Sequence, residues 1–143
     1  MTRSRRMTTI INLADNQKEE AARQLAQGQK LLEESETQLS DMKRCRRDYA
    51  AQLHAKSSVK KTASELQGIR RFIQQLDVAI QQLEQQLIEY TVASEQQKEH
   101  WMKLRNKTQA LTEIKVRYQK SEQQTIEHRE QFEVDELSQR KGN

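Results

Sequence analysis

From Leu66 to Tyr90 the apolar side chains alternate at steps of three and four without exception: Leu66, Ile69, Ile73, Leu76, Ile80, Leu83, Leu87 and Tyr90. That spacing draws one narrow stripe along a helix, the seam of a heptad repeat. The series weakens through Ser94 and Gln97 and recovers at Trp101 and Leu104. A second seam precedes it. Ile11, Ala14, Lys18, Ala21, Leu25, Gly28, Leu32, Ser35, Leu39, Met42, Arg46, Tyr49 and Leu53 keep the same alternation, and nine of these thirteen are apolar or aromatic. Between the seams, residues 54–63 lose the pattern and collect small polar and basic side chains.

Composition says what a stripe this narrow can support. Hydrophobic residues make up 34% of the chain, charged residues 32%, and the mean hydropathy is -1.07. A chain so polar either stays disordered or buries only a seam. Disordered chains are usually rich in proline, and this one has none among its 143 residues, with three glycines. Straight-chain helix formers dominate instead. The expected fold is therefore all-α: one coiled-coil domain over 1–143, with helix one at about 8–55, a turn at about 56–62 and helix two at about 63–137. A short connection forces the helices to run antiparallel, as a coiled-coil hairpin.

Facing a against d positions gives a register in which partner numbers sum to about 115. It sets Leu39 against Leu76, Met42 against Ile73, Leu32 against Leu83, Gly28 against Leu87, Ala14 against Trp101 and Lys18 against Gln97. A slip of one heptad with a different loop keeps the same seams. In this register helix one finds partners down to about residue 106, so some 25 to 30 residues of helix two overhang, about 40 Å. Leu111, Ile114, Tyr118, Ile126, Phe132, Val134 and Leu137 are expected there without a partner in the chain.

Charge is concentrated near the turn. Residues 43–71 hold nine basic side chains against two acidic ones, a local balance of +7 within a net charge of +4. Chemistry for catalysis is lacking: His54, His100 and His128 stand singly, three isolated glycines build no phosphate loop, and two packed helices enclose no substrate pocket. No enzyme activity, cofactor, metal or small-molecule substrate is expected. The lone Cys45 fits a reducing compartment, and neither a signal peptide nor a membrane span is read from the sequence.

In their order and spacing the segments EEAARQLAQ (19–27), ETQLSDMKRCRRDYAAQL (36–53), RRFIQQLDVAIQQLEQQL (70–87) and HWMKLRNKTQAL (100–111) resemble the flagellar FliJ family. The ending, with Asp135, Glu136 and Arg140, is similar to that family's C-terminal acidic element. The resemblance implies a non-enzymatic coiled coil like the stalk subunit of rotary ATPases, working in the flagellar type III export apparatus. It implies three partners: a hexameric export ATPase, the cytoplasmic domain of the export-gate membrane protein, and export chaperones. Its place would be cytoplasmic, peripheral to the inner membrane at the flagellar basal body. Family gate-contact positions fall on Gln38, Met42, Cys45 and Tyr49 of helix one and on Phe72, Leu76, Ala79 and Leu83 of helix two. Cys45 stands where the family has an aromatic and Leu83 where it has histidine. Insertion into the ATPase ring would fall to Leu111, Ile114, Tyr118, Phe132, Asp135 and Glu136. The alternatives are a virulence type III secretion stalk, a generic homodimeric coiled coil, and a nucleic-acid-binding coiled coil using the basic turn.

Overall fold

A computed structural model describes residues 1–54 and 59–142. Two long helices pack against each other as a helical hairpin, α1 (Arg3–His54) and α2 (Ala63–Lys141), and the described residues include no strand. The expected turn at 56–62 lies partly outside the described residues, as does Lys56 of the basic cluster; Val59 and Lys60 form a 3₁₀ turn just before Thr62.

Each helix start has a local cause. Thr62 Oγ accepts the Glu65 backbone N–H at 3.2 Å, with Glu65 in the first turn, which is a Thr-x-x-Glu start. For α1, Thr2 Oγ accepts the Arg5 N–H at 3.4 Å. Its first turn carries Arg3, Arg5 and Arg6 and no acid, the wrong sign for the positive end of a helix. The missing carboxylate comes from the other helix. Glu122 Oε1 accepts the Ser4 N–H at 3.1 Å, and Oε2 accepts the Ser4 hydroxyl at 2.7 Å. This anchor is why α1 starts earlier than the expected residue 8.

Contacts gather the chain into two units: Met1–Ala22 with His100–Asn143, and Arg23–Glu99. In the first, Ala14, Ala21, Ser4 and Thr108 are buried, and Thr108 satisfies its hydroxyl on the Leu104 carbonyl one turn back at 2.9 Å. The Arg3 guanidinium lies 5.7 Å from the Tyr118 ring centre, and that of Arg105 lies 5.3 Å from Trp101. In the second unit Ile73, Ile80, Leu83, Ser35 and Ser94 are buried. Lys43 Nζ is 3.2 Å from Glu84 Oε1, Arg46 pairs with Asp77, and the rings of Tyr49 and Phe72 meet edge to face with centres 4.8 Å apart.

These contacts correct the register. Facing residues pair as 43 with 84, 46 with 77, 49 with 72, 28 with 97 and 4 with 122, so their numbers sum to between 121 and 127 rather than about 115. The shift is one heptad. It places Ala14 level with Thr108 and Ala21 level with Trp101, and Gln97 lies over Gly28 rather than opposite Lys18. The apolar seams permit both registers, and the flanking charges separate them. In the register read from the seams alone, Arg46 would lie beside Arg70; in the observed one it meets Asp77, and Lys43 meets Glu84.

The overhang shrinks by the same amount. Leu111, Ile114 and Tyr118, expected to be unpaired, are half-buried in the first unit. The exposed stretch begins after Glu122, and the remaining 19 residues to Lys141 span roughly 30 Å at 1.5 Å per residue. Ile126, Phe132, Val134 and Leu137 are exposed on it.

Candidate interaction surfaces

In the second unit, the eight positions read as gate contacts fall into two neighbouring groups. Gln38, Met42, Ala79 and Leu83 line one open groove of about 520 Å³ with Gln82, Gln85, Gln86 and Glu89. Leu83 forms the groove's floor rather than its surface, since only 7% of it is exposed. Met42 and Ala79 are half-buried, and Gln38 is exposed on the rim. The surrounding glutamines make the rim polar, with Glu89 its one charged residue among those lining the groove and Gln86 Nε2 donating to the Tyr90 hydroxyl at 2.7 Å.

Tyr49 and Phe72 line a second recess of about 400 Å³ with Lys61, Glu65, Gly68 and Ile69. Phe72 is 38% exposed, a large ring at the edge of the seam. Its ring meets that of Tyr49 edge to face. Cys45 and Leu76 are half-buried between the two groups. The family resemblance pointed to these residues, but not to Gln82, Gln85 or Gln86, whose place on the groove depends on the register.

In the first unit, the positions read as ring contacts separate. Leu111, Ile114 and Tyr118 are half-buried, and Tyr118 lines a recess of about 470 Å³ with Met1, Thr2, Arg3, Arg6, Ser121, Glu122, Thr125 and Ile126. Phe132, Asp135 and Glu136 lie on the exposed end of α2. There Gln131 Nε2 donates to Asp135 at 3.1 Å and Arg140 to Glu136 at 3.2 Å, pairs one turn apart that hold the helix without any second helix beside it. The Glu122 clamp on Ser4 was missed from sequence. An Arg-rich first turn with no acid of its own was the signal that a carboxylate had to come from elsewhere.

Two groups have shifted proton affinities. Hydrogen bonds from the Ser4 hydroxyl and backbone, with a lesser one from the Arg3 backbone, hold Glu122 below the ordinary carboxylate value against a small opposing effect of burial. The Asp77 hydrogen bond and charge raise Arg46 above its already high value. No group of three His, Cys, Asp or Glu among the described residues is arranged to hold a metal ion, and no described helix is long and apolar enough to cross a membrane.

The family model described as flagellar FliJ protein matches residues 3–143. No curated protein and no solved structure matches the chain. A match over nearly the whole length agrees with the two packed helices and with the segments quoted above. The chain belongs to the flagellar FliJ protein family, and is thereby a component of flagellar protein export.

Proposed function

We propose that this protein couples a hexameric export ATPase to the cytoplasmic domain of the export gate and escorts export chaperones between them. One observation carries the reading: Gln38, Met42, Ala79 and Leu83, drawn from two helices and far apart in sequence, line a single groove. These are positions that the family resemblance assigns to the gate. A mixed apolar floor with a polar rim suits a protein partner. The exposed, acidic end of α2, with Phe132, Asp135 and Glu136, is a bare helix of the kind a narrow ring admits, and it is the ring-binding element in this reading.

Phe72→Ala combined with Gln38→Ala tests the gate side, because both residues are exposed and the fold should survive. Binding to the isolated gate domain should weaken at least tenfold while stimulation of the ATPase persists. Unchanged gate binding would refute the assignment. The basic turn also raises nucleic-acid binding as a rival, yet Lys43 and Arg46 are already paired within the protein, which takes two of its nine cations out of the argument from charge.

A further inference from the structure

The end of the second unit that carries the connection holds positive charge that the protein's own packing does not absorb. Lys43 and Arg46 face Glu84 and Asp77, and Arg44 lies 3.8 Å from Asp41 of its own helix. Arg47, Lys60, Lys61, Arg70 and Arg71 have no carboxylate partner among the described residues. Lys61 reaches only Gln52 Oε1, at 3.3 Å. Beside Lys60 stands Val59, 86% exposed and the most exposed large hydrophobic residue of the protein among those described.

The arrangement distinguishes among anionic partners. Successive helical residues stand about 100° apart, so Arg70 and Arg71 point to different sides of α2. Arg47 belongs to α1, and Lys60 and Lys61 to the connection. The cations are therefore spread around an end rather than aligned on a face. A flat protein surface reads cations aligned on one face, and single-stranded nucleic acid needs open aromatic platforms, whereas the two nearest rings here are packed on each other. A plane of negative charge meets an end from all sides. An exposed aliphatic side chain beside lysines is what such a plane takes into its headgroup layer.

We infer that this end binds the surface of an anionic bilayer directly, with Val59 entering the interface and Arg47, Lys60, Lys61, Arg70 and Arg71 lying among lipid phosphates. Arg70 and Arg71 start about two turns into α2, roughly 10 Å from Ala63, close to the screening length at physiological salt. They contribute less than Lys60 and Lys61. This contact needs no export protein, so it stands or falls apart from the coupling reading.

The test is sedimentation of the full chain with vesicles of phosphatidylcholine alone or of phosphatidylcholine with phosphatidylglycerol at seven to three. Binding is expected only to the anionic vesicles, and it should be released on raising salt from about 0.1 to 0.5 M. Each basic side chain near such a surface is worth about fivefold, so Lys60→Gln with Lys61→Gln should weaken partitioning roughly 25-fold. Val59→Asp should weaken it further, and Arg5→Gln with Arg6→Gln should leave it nearly unchanged. Circular dichroism checks that each variant stays helical. Equal binding to neutral vesicles, no loss in the double lysine variant, or a duplex DNA fragment competing the protein off the vesicles at equal charge would overturn the inference.

Discussion

Gly28 offers the sharpest test of how the helices meet. A Cβ placed there would collide with Gln97 Oε1 and come within 3.2 Å of its Cδ, so the carboxamide occupies the space a side chain would take. That Oε1 is buried without a hydrogen-bond partner among the described residues. A buried carbonyl left unpaired costs about 1–3 kcal/mol, and glycine inside a helix costs about 1 kcal/mol relative to alanine. Both costs fall in Gly28→Ala. The methyl fills the gap, and the carboxamide, the far end of a flexible side chain, swings into water. Allowing for lost contacts of the carboxamide, a net gain of about 1–2 kcal/mol is expected. Gly68→Ala is the reference, since nothing lies within 4 Å of its Cβ position and it should return the helix term of about 1 kcal/mol alone. Urea unfolding followed by far-ultraviolet circular dichroism measures both. If Gly28→Ala proved less stable than the starting protein while Gly68→Ala gained, the carboxamide would be held in place. The close approach at this layer would then require glycine itself.

Three further outcomes follow from the register and the terminal clamp. Ala21→Leu should overpack a buried position level with Trp101 and destabilise by about 1–3 kcal/mol, read from the same unfolding curves. Asp77→Arg should lower the melting temperature by placing like charges beside Arg46, and Arg46→Asp in the same chain should restore it; no recovery would mean that the two do not face each other. Glu122 has a folded value below its ordinary one, so its contribution is complete above the unfolded value near 4.5 and disappears as pH falls through the folded value. Carboxyl NMR should find its titration moved up in Ser4→Ala, with faster amide exchange at the start of α1.

The fold was legible because its signals are local and repeated: the seams Ile11–Leu53 and Leu66–Tyr90 specify two helices whatever their alignment. Alignment was not legible from the seams, since a heptad slip keeps both stripes facing each other. It was written instead in charges on and beside the seam. Arg46, Glu84, Lys43 and Asp77 are ordinary surface charges until two registers are compared, and only one sets them in opposite-charge pairs. The recess around Tyr49 and Phe72 was half legible: the family resemblance picked out both residues, but their meeting depended on the heptad that had been misplaced. The Ser4–Glu122 contact joins residues 118 apart and has no periodic signal at all.

The corrected alignment also decides which truncation can test ring insertion. A cut near residue 110 would remove Tyr118 and Glu122 together with the exposed end, stripping α1 of the carboxylate that caps it and of the ring beside Arg3. Lost stimulation of the ATPase would then report damage to the first unit as readily as loss of a contact. A cut after Glu122 keeps the clamp and removes only exposed helix, including Phe132, Asp135 and Glu136. Removing the neighbours of a terminal helix also frays its last turn, so the clamp should be checked by amide exchange at Ser4 in the shortened chain. With exchange there unchanged, stimulation of the ATPase should fall to the level without this protein while gate binding stays within twofold. Full stimulation by the shortened chain would show that the exposed end of α2 does not enter the ring, and the half-buried positions Leu111, Ile114 and Tyr118 could not take its place without α1 first coming away.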